Sequence, residues 1–263
     1  MRTVWTWIPD LAHAHVRDDP RGSLYGLYGP YRLYKLSFMI SLQEIWKKYQ
    51  INADETFTAL KGISFQIDSG EFVAITGPSG CGKSTAMQIL GLLDKPTSGK
   101  VIIGGKEAEN LSDVELSRLR NEYIGFVFQQ FNLINKLTIL ENLLVPTIYT
   151  RKKLDYNPKE YAQYLLKRFG LESKAQSYPN RISGGQQQRV AIARALIMKP
   201  EFILADEPTG NLDTKTGDEI MKLLTELNEQ EKITIVIVTH EPDIAARAKR
   251  QIKMIDGMIN GSS

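Results

Sequence analysis

The sequence predicts an α/β domain built on a mostly parallel central sheet, and two patterns carry that expectation. Four short apolar runs, Phe72 to Thr76, Ile124 to Phe128, Phe202 to Ala205 and Ile233 to Val238, lack the polar alternation of a half-exposed strand. Strands buried on both faces of a parallel sheet read this way. The segments between them carry helical spacing: Ala86, Ile89, Leu90 and Leu93 recur three and four apart. That spacing places them on one face of a helix laid against the sheet.

Taken in order, residues 1–38 differ in texture from the rest of the chain. Tyr25, Tyr28, Tyr31 and Tyr34 stand among Gly22, Gly26, Gly29 and Pro30, which interrupt any regular element, so the segment reads as an irregular extension. Met39 immediately precedes Ile40, where the domain pattern begins, and is a candidate initiator; a chain starting there is expected to fold. Residues 39–263 form the domain. Leu42 to Trp46 alternates as a strand with Trp46 turned to the core, and Ala59 to Ile67 supplies another. The turn Asp68-Ser69-Gly70 leads into Phe72 to Thr76. From about residue 132 to 185 the pattern is largely helical, most clearly from Glu160 to Phe169, and forms a subdomain.

Composition excludes several classes. Of the formal charge of +3, residues before Met39 contribute +2, from Arg2, Arg17, Arg21, Arg32 and Lys35 against Asp10, Asp18 and Asp19. The remainder has no basic excess for holding a polyanion, so no nucleic-acid partner is expected. Cys81 is the single cysteine, which rules out an intrachain disulfide framework and a cysteine-cage zinc site and fits a reducing compartment. The apolar runs fall far short of the roughly 20 residues that cross a bilayer. Met1 to Val16 carries Asp10 and lacks the uninterrupted apolar stretch of a signal peptide. His13 and His15 have no accompanying ligands and read as solvated.

The chemistry begins at Gly77-Pro78-Ser79-Gly80-Cys81-Gly82-Lys83-Ser84-Thr85, a glycine loop between an expected strand and an expected helix. Glycines let backbone N–H groups turn inward, and a helix N-terminus favours negative charge. Lys83 is placed to reach the β and γ phosphates of a nucleotide, and the Ser84 hydroxyl to bind Mg²⁺. Alkylation of Cys81 within this loop is expected to block the nucleotide. Further on, the strand Phe202 to Ala205 ends in Asp206-Glu207. Successive side chains point to opposite sides of a strand, so the two carboxylates have separate roles, Asp206 toward Mg²⁺ and Glu207 toward the attacking water. A third element, Ser183-Gly184-Gly185-Gln186 followed by Gln187-Gln188-Arg189, opens a helix. Ser183 can cap it, and Gly184 and Gly185 allow an anion close to the helix N-terminus.

These motifs, together with Pro208-Thr209-Gly210-Asn211-Leu212-Asp213, Gln129 at a strand end and His240 after Thr239, resemble in kind and order the ATP-binding subunits of ABC transporters. The resemblance covers residues 39–263; Ile182, where leucine is commonest before the Ser-Gly-Gly run, is a conservative departure. It implies a phosphate-loop ATPase fold of ABC type with an antiparallel β subdomain and a helical subdomain carrying the signature Ser183 to Gln186. It further implies that Gln129 senses Mg²⁺ and the attacking water, that His240 touches the γ-phosphate and that Tyr49 stacks on adenine. Asp213 closes the loop that meets a partner subunit. The implied assembly is a head-to-tail dimer of this chain, with ATP between the loop of one subunit and the signature of the other. A separate membrane permease would dock around Gln129 to Leu143, holding the subunit at the cytoplasmic face of the membrane. Gly125 to Ile134 is most similar to the macrolide-exporter and lipoprotein-release branch. A cell-division regulator built on the same subunit is an alternative. Soluble relatives acting on nucleic acid or ribosomes fit less well, since they carry two ATPase domains, a coiled coil or zinc modules.

Overall fold

The computed structural model describes residues 40–151 and 153–262. The expectations for residues 1–38, Met39, His13 and His15 lie outside the described residues. The elements in chain order are β1 (Ile40–Gln50), β2 (Thr56–Ile67), β3 (Phe72–Thr76), α1 (Lys83–Leu90), β4 (Ser98–Ile103), β5 (Lys106–Glu107) and α2 (Asp113–Tyr123). Then come β6 (Ile124–Val127), α3 (Ile139–Ile148), α4 (Pro158–Arg168), α5 (Gly184–Leu196), β7 (Phe202–Asp206) and α6 (Thr214–Glu231). The chain closes with β8 (Thr234–Thr239), α7 (Pro242–Ala245), β9 (Arg250–Ile255) and β10 (Met258–Ser262).

The main sheet has six strands in the order β10-β9-β3-β8-β7-β6. All its pairings are parallel except that of β10 with β9. The four apolar runs occupy β3, β8, β7 and β6, and each of the first three feeds two cores. In β3, Phe72 and Ala74 face one core while Val73 and Ile75 face the other; in β8, Ile235 and Ile237 oppose Val236 and Val238. This period of two on a strand with no polar face is what requires covering layers on both sides. One layer is α3, α4, α5 and α6, through residues such as Leu143, Leu165, Ile192 and Ile220. The other is α1, α2 and a second, antiparallel sheet of order β2-β1-β4-β5, through Ile45, Leu60, Ile89 and Val101.

Two expectations fail, and both failures have a local cause. Helical spacing puts Leu93 on the buried face of α1, but that helix ends earlier. Leu92 adopts a left-handed φ of 55°, its N–H donates to the Ile89 carbonyl, and the Leu93 N–H donates to the Gln88 carbonyl. This pair of bonds is a Schellman turn, formed here without the usual glycine, and it swings Leu93 to the surface. Strand alternation puts Trp46 in the core. Irregular pairing on either side of it in β1 turns it outward, where its indole covers Gly62 and stays 38% exposed.

Two helix starts rest on side-chain bonds that the apolar pattern does not mark. Ser112 and Thr138 each close a capping box with a glutamate three residues on, Glu115 and Glu141, so α2 and α3 start where the side chains satisfy otherwise unpaired N–H groups.

Candidate nucleotide site

Parallel pairing aligns the carboxyl ends of β3, β8, β7 and β6: Thr76 sits beside Thr239, Val238 beside Asp206, and Ala205 beside Val127. Ligands of open α/β sheets bind at this edge. A cavity of about 520 Å³ opens there, bounded by the loop residues Ser79, Gly80, Gly82, Lys83, Ser84 and Thr85, and by Gln129, Asp206, Glu207 and His240.

The loop between β3 and α1 needs glycine at two places for steric reasons. At Gly77, φ is 149° and a Cβ would stand 2.1 Å from the Met254 carbonyl oxygen. At Gly82, the residue before α1, φ is 99° and a Cβ would meet the Ala59 carbonyl at 2.6 Å. The loop is thus wedged between β9 and β2, with the N-terminus of α1 behind it. Lys83 is buried, and its ammonium donates to the carbonyls of Gly77 at 2.8 Å and Pro78 at 2.9 Å. Cys81 points the other way, into the core beneath the loop, with its sulfur 2.8 Å from where a Gly77 Cβ would lie.

Asp206 ends β7 and Glu207 follows it outside the strand, and both carboxylates border the cavity. Burial, and next the neighbouring Glu207 carboxylate, raise the pKa of Asp206; Lys83 opposes this. Glu207 leaves the strand with a left-handed φ of 43°. Its Oε1 accepts from the His240 backbone N–H at 3.1 Å and lies 2.6 Å from His240 Nδ1, while Oε2 accepts from the Thr239 hydroxyl at 3.1 Å. The carboxylate is therefore aimed across the end of β8.

Gln129 follows β6 and reaches the cavity with its side chain amide near Gly210. Its carbonyl accepts from Asn211 Nδ2 at 2.7 Å, which ties this loop to the segment leading into Asp213. Asp213 itself caps α6, accepting from the Thr216 N–H at 3.0 Å and hydroxyl at 2.6 Å, and the Thr216 bonds lower its pKa.

Ser183 caps α5: its hydroxyl accepts from the Gln186 N–H, and Gln186 Oε1 accepts from the Ser183 N–H at 3.0 Å. A helix N-terminus favours negative charge through its dipole and unpaired N–H groups. None of Ser183, Gly184, Gly185, Gln186 and Asp213 borders the nucleotide cavity of the same chain.

Tyr49 is also absent from the cavity wall. Its hydroxyl donates to Asp94 at 3.0 Å, and the Lys47 ammonium lies 4.9 Å from its ring. The aromatic that does border the cavity is Phe57, its cross-strand partner, 51% exposed. The sequence marks Phe57 only faintly, as an apolar ring flanked by threonines near the end of a hairpin, and motif reading passes over it.

A glycine loop and strand-end carboxylates facing one cavity at the edge of a parallel sheet define a nucleotide-binding domain of the phosphate-loop class. Within that class the chain belongs to the ABC transporter family, whose model matches residues 60–210. It is 51% identical over 221 residues to a macrolide export ATP-binding/permease protein, MacB, of Chlorobium phaeobacteroides. That match covers 84% of this chain and 33% of the relative, so the chain spans about a third of that relative's length. It is 49% identical to the uncharacterised ABC transporter ATP-binding protein MJ0796 of Methanocaldococcus jannaschii, over 84% of this chain and 95% of that one. Among solved structures, the dimeric post-hydrolysis state of MJ0796 bound to ADP and Pi superposes with a TM-score of 0.78 at 47% identity, covering 85% of this chain and 97% of that chain. The fold is that of ABC cassettes. Among the described residues, no helix is long and apolar enough to cross a membrane.

Proposed function

We propose that this chain is the ATP-binding and ATP-hydrolysing subunit of an ABC transporter and drives a separate membrane permease, for export or for mechanical work across the envelope. The observation that carries this reading is the division of the machinery. Lys83, Ser84, Gln129, Asp206, Glu207 and His240 surround one cavity, while the capped α5 N-terminus stands outside it. A second copy, turned head to tail, supplies the missing anion-binding end over the γ-phosphate. The MJ0796 cassette is dimeric in its post-hydrolysis state with ADP and Pi, which supports pairing of two copies.

In this reading the phosphates displace the Gly77 and Pro78 carbonyls from Lys83 and take its ammonium. Phe57 or Tyr49 receives the adenine. Among the described residues no cluster of three or more His, Cys, Asp or Glu side chains could hold a metal ion on its own. The raised acid Asp206, with Ser84 and Gln129, fits Mg²⁺ that arrives on the nucleotide, as is usual for this cation. Held by these residues, the cation would supply neutralisation of phosphate charge. Glu207, held by Thr239 and His240, takes the hydrogen bond of the attacking water. His240 Nδ1 is committed to Glu207, so Nε2 is the ring nitrogen available to the γ-phosphate.

A second cavity, of about 480 Å³, lies between α2, β6, α3 and α5 and carries Leu93, Phe126, Phe128, Val145, Pro146 and Tyr149. Leu93 and Tyr149, the latter 74% accessible, are exposed in its wall. We assign it to a short helix of the permease, which would hold this subunit peripherally at the cytoplasmic face of the membrane. Affinity purification from native membranes tests the assignment. Co-purification of a permease that raises the ATPase rate supports it; recovery with ribosomes or DNA alone overturns it.

A further inference from the structure

The segment from Phe128 to Thr138, which includes Gln129, has no regular secondary structure and contains two successive residues with left-handed backbone, Phe131 at φ 59° and Asn132 at φ 49°. Non-glycine residues hold such conformations only where the surroundings over-determine them. One side chain braces the far end of the segment and another grips the left-handed pair itself. Asn142, fully buried in α3, accepts from the Ile134 N–H at 2.8 Å and donates to the carbonyls of Ile134, Leu137 and Thr138. Arg194, on α5, donates from Nη1 to the Asn132 carbonyl at 2.5 Å and from Nη2 to the Phe131 carbonyl at 2.9 Å.

Arg194 is costly where it stands. It follows a buried apolar run, Val190 to Ala193, burial alone depresses its pKa, and among the described residues no carboxylate forms an ion pair with it. What it gains is a planar fork matched to two carbonyls, a geometry a lysine cannot reproduce. It also borders the apolar cavity assigned above to the permease. One guanidinium thus touches the docking cavity, belongs to the helix that Ser183 opens, and grips the chain two and three residues beyond Gln129.

We propose that Arg194 is the positioning residue that couples the docking cavity and the signature helix to Gln129, fixing the Gln129 amide at the nucleotide cavity. This rests on the reading of Gln129 as part of the hydrolytic site. When the cavity is filled, the occupant bears on Arg194 and so on the backbone that sets Gln129; when α5 moves, the same two bonds carry the loop with it.

The test uses the full chain with the variants Arg194→Lys, Arg194→Ala, Gln129→Ala and the double variant Arg194→Lys/Gln129→Ala. Arg194→Lys should lower kcat roughly tenfold, because small misplacements of catalytic groups are expensive, with KM for ATP within about twofold. Amide exchange should rise from residue 131 to 138. The decisive arm is the double variant: acting through Gln129, Arg194→Lys should slow Gln129→Ala no further. Additive losses, or a fall in Tm with kcat unchanged, would overturn the proposal. Should Gln129→Ala alone leave kcat unaltered, the hydrolytic reading of Gln129 fails instead, and the coupling with it. Arg194→Ala leaves two carbonyls unpaired; if it does not fold, Arg194→Lys carries the test.

Discussion

Glu207→Gln separates the fold of this site from its chemistry. The carboxylate receives the His240 N–H at 3.1 Å and the His240 ring nitrogen at 2.6 Å on one oxygen, and the Thr239 hydroxyl at 3.1 Å on the other. An amide of the same shape keeps an oxygen for the His240 N–H. Its nitrogen can donate to the Thr239 hydroxyl oxygen, which already accepts from the Glu241 N–H at 3.0 Å. The exchange costs the fold about 1 kcal/mol, the scale of one altered hydrogen bond. Hydrolysis loses far more, because the amide cannot draw a proton from water: a fall of about 10² to 10⁴ in kcat is expected. That corresponds to roughly 2.7 to 5.4 kcal/mol on the barrier. Phosphate release measures the rate, and gel filtration in ATP measures the consequence, a dimer that persists because its nucleotide is not consumed. Hydrolysis within threefold of the parent, in a variant of unchanged Tm, would refute the assignment of Glu207.

Phe57→Ala should weaken ATP binding about 5- to 150-fold, the range set by a base-stacking contribution of roughly 1 to 3 kcal/mol, while Tyr49→Ala, which also removes a ring, should leave Kd within about twofold. Titration of a fluorescent ATP analogue decides it, and the reverse order would return the adenine platform to Tyr49. Asp206 has a raised pKa, so the stability it contributes is complete below its ordinary value of 3.8 and is lost as pH rises through the folded value. Asp206→Asn should therefore raise Tm at pH 7, by an amount that shrinks in acid, and should abolish stabilisation by Mg-ATP; a lowered Tm at pH 7 contradicts this. Cys81 is buried, at 3% exposure. Maleimide should label it slowly in the native protein and rapidly in denaturant, and the labelled fraction should lose ATP binding because an adduct forces Gly77 aside; full ATP binding after mass-verified labelling would contradict this.

Periodicity and loop chemistry are encoded locally, and they are the part of this fold that the sequence discloses. The four buried strands of the main sheet and the glycine loop are legible because the strands exclude polar residues along their length and the loop needs glycine at fixed places. Strands β4, β9 and β10 are not, since Ser98–Ile103 and Arg250–Ser262 mix lysines, glycines and apolar residues without a clean alternation. Leu93 is misplaced by its spacing because the turn at Leu92 uses a leucine in a left-handed conformation, which no propensity signals. Trp46 is misplaced because irregular pairing resets which face a strand residue occupies. At the site, residues are legible where their own chemistry is exposed in a motif. Arg194 and Asn211 act on backbone carbonyls far from their own segments, Asn142 on those of the loop just before its helix, and nothing in the sequence marks such targets.

If a second copy of the chain completes the nucleotide site, two inactive variants with different lesions should complement each other. Lys83→Ala disables the loop. Gly184→Asp places a carboxylate at the N-terminus of α5, where a Cβ meets only Leu212 and Phe131 at 3.5 and 3.7 Å and the Asn211 carbonyl at 4.0 Å, ordinary contacts that leave the fold intact. In a mixed dimer one site pairs the intact loop of the Gly184 variant with the intact signature of the Lys83 variant. ATPase activity that is absent in either variant alone and returns on mixing is the expected result. Continued inactivity of the mixture, with mixed dimers demonstrated, would show that loop and signature serve one chain and would contradict the account.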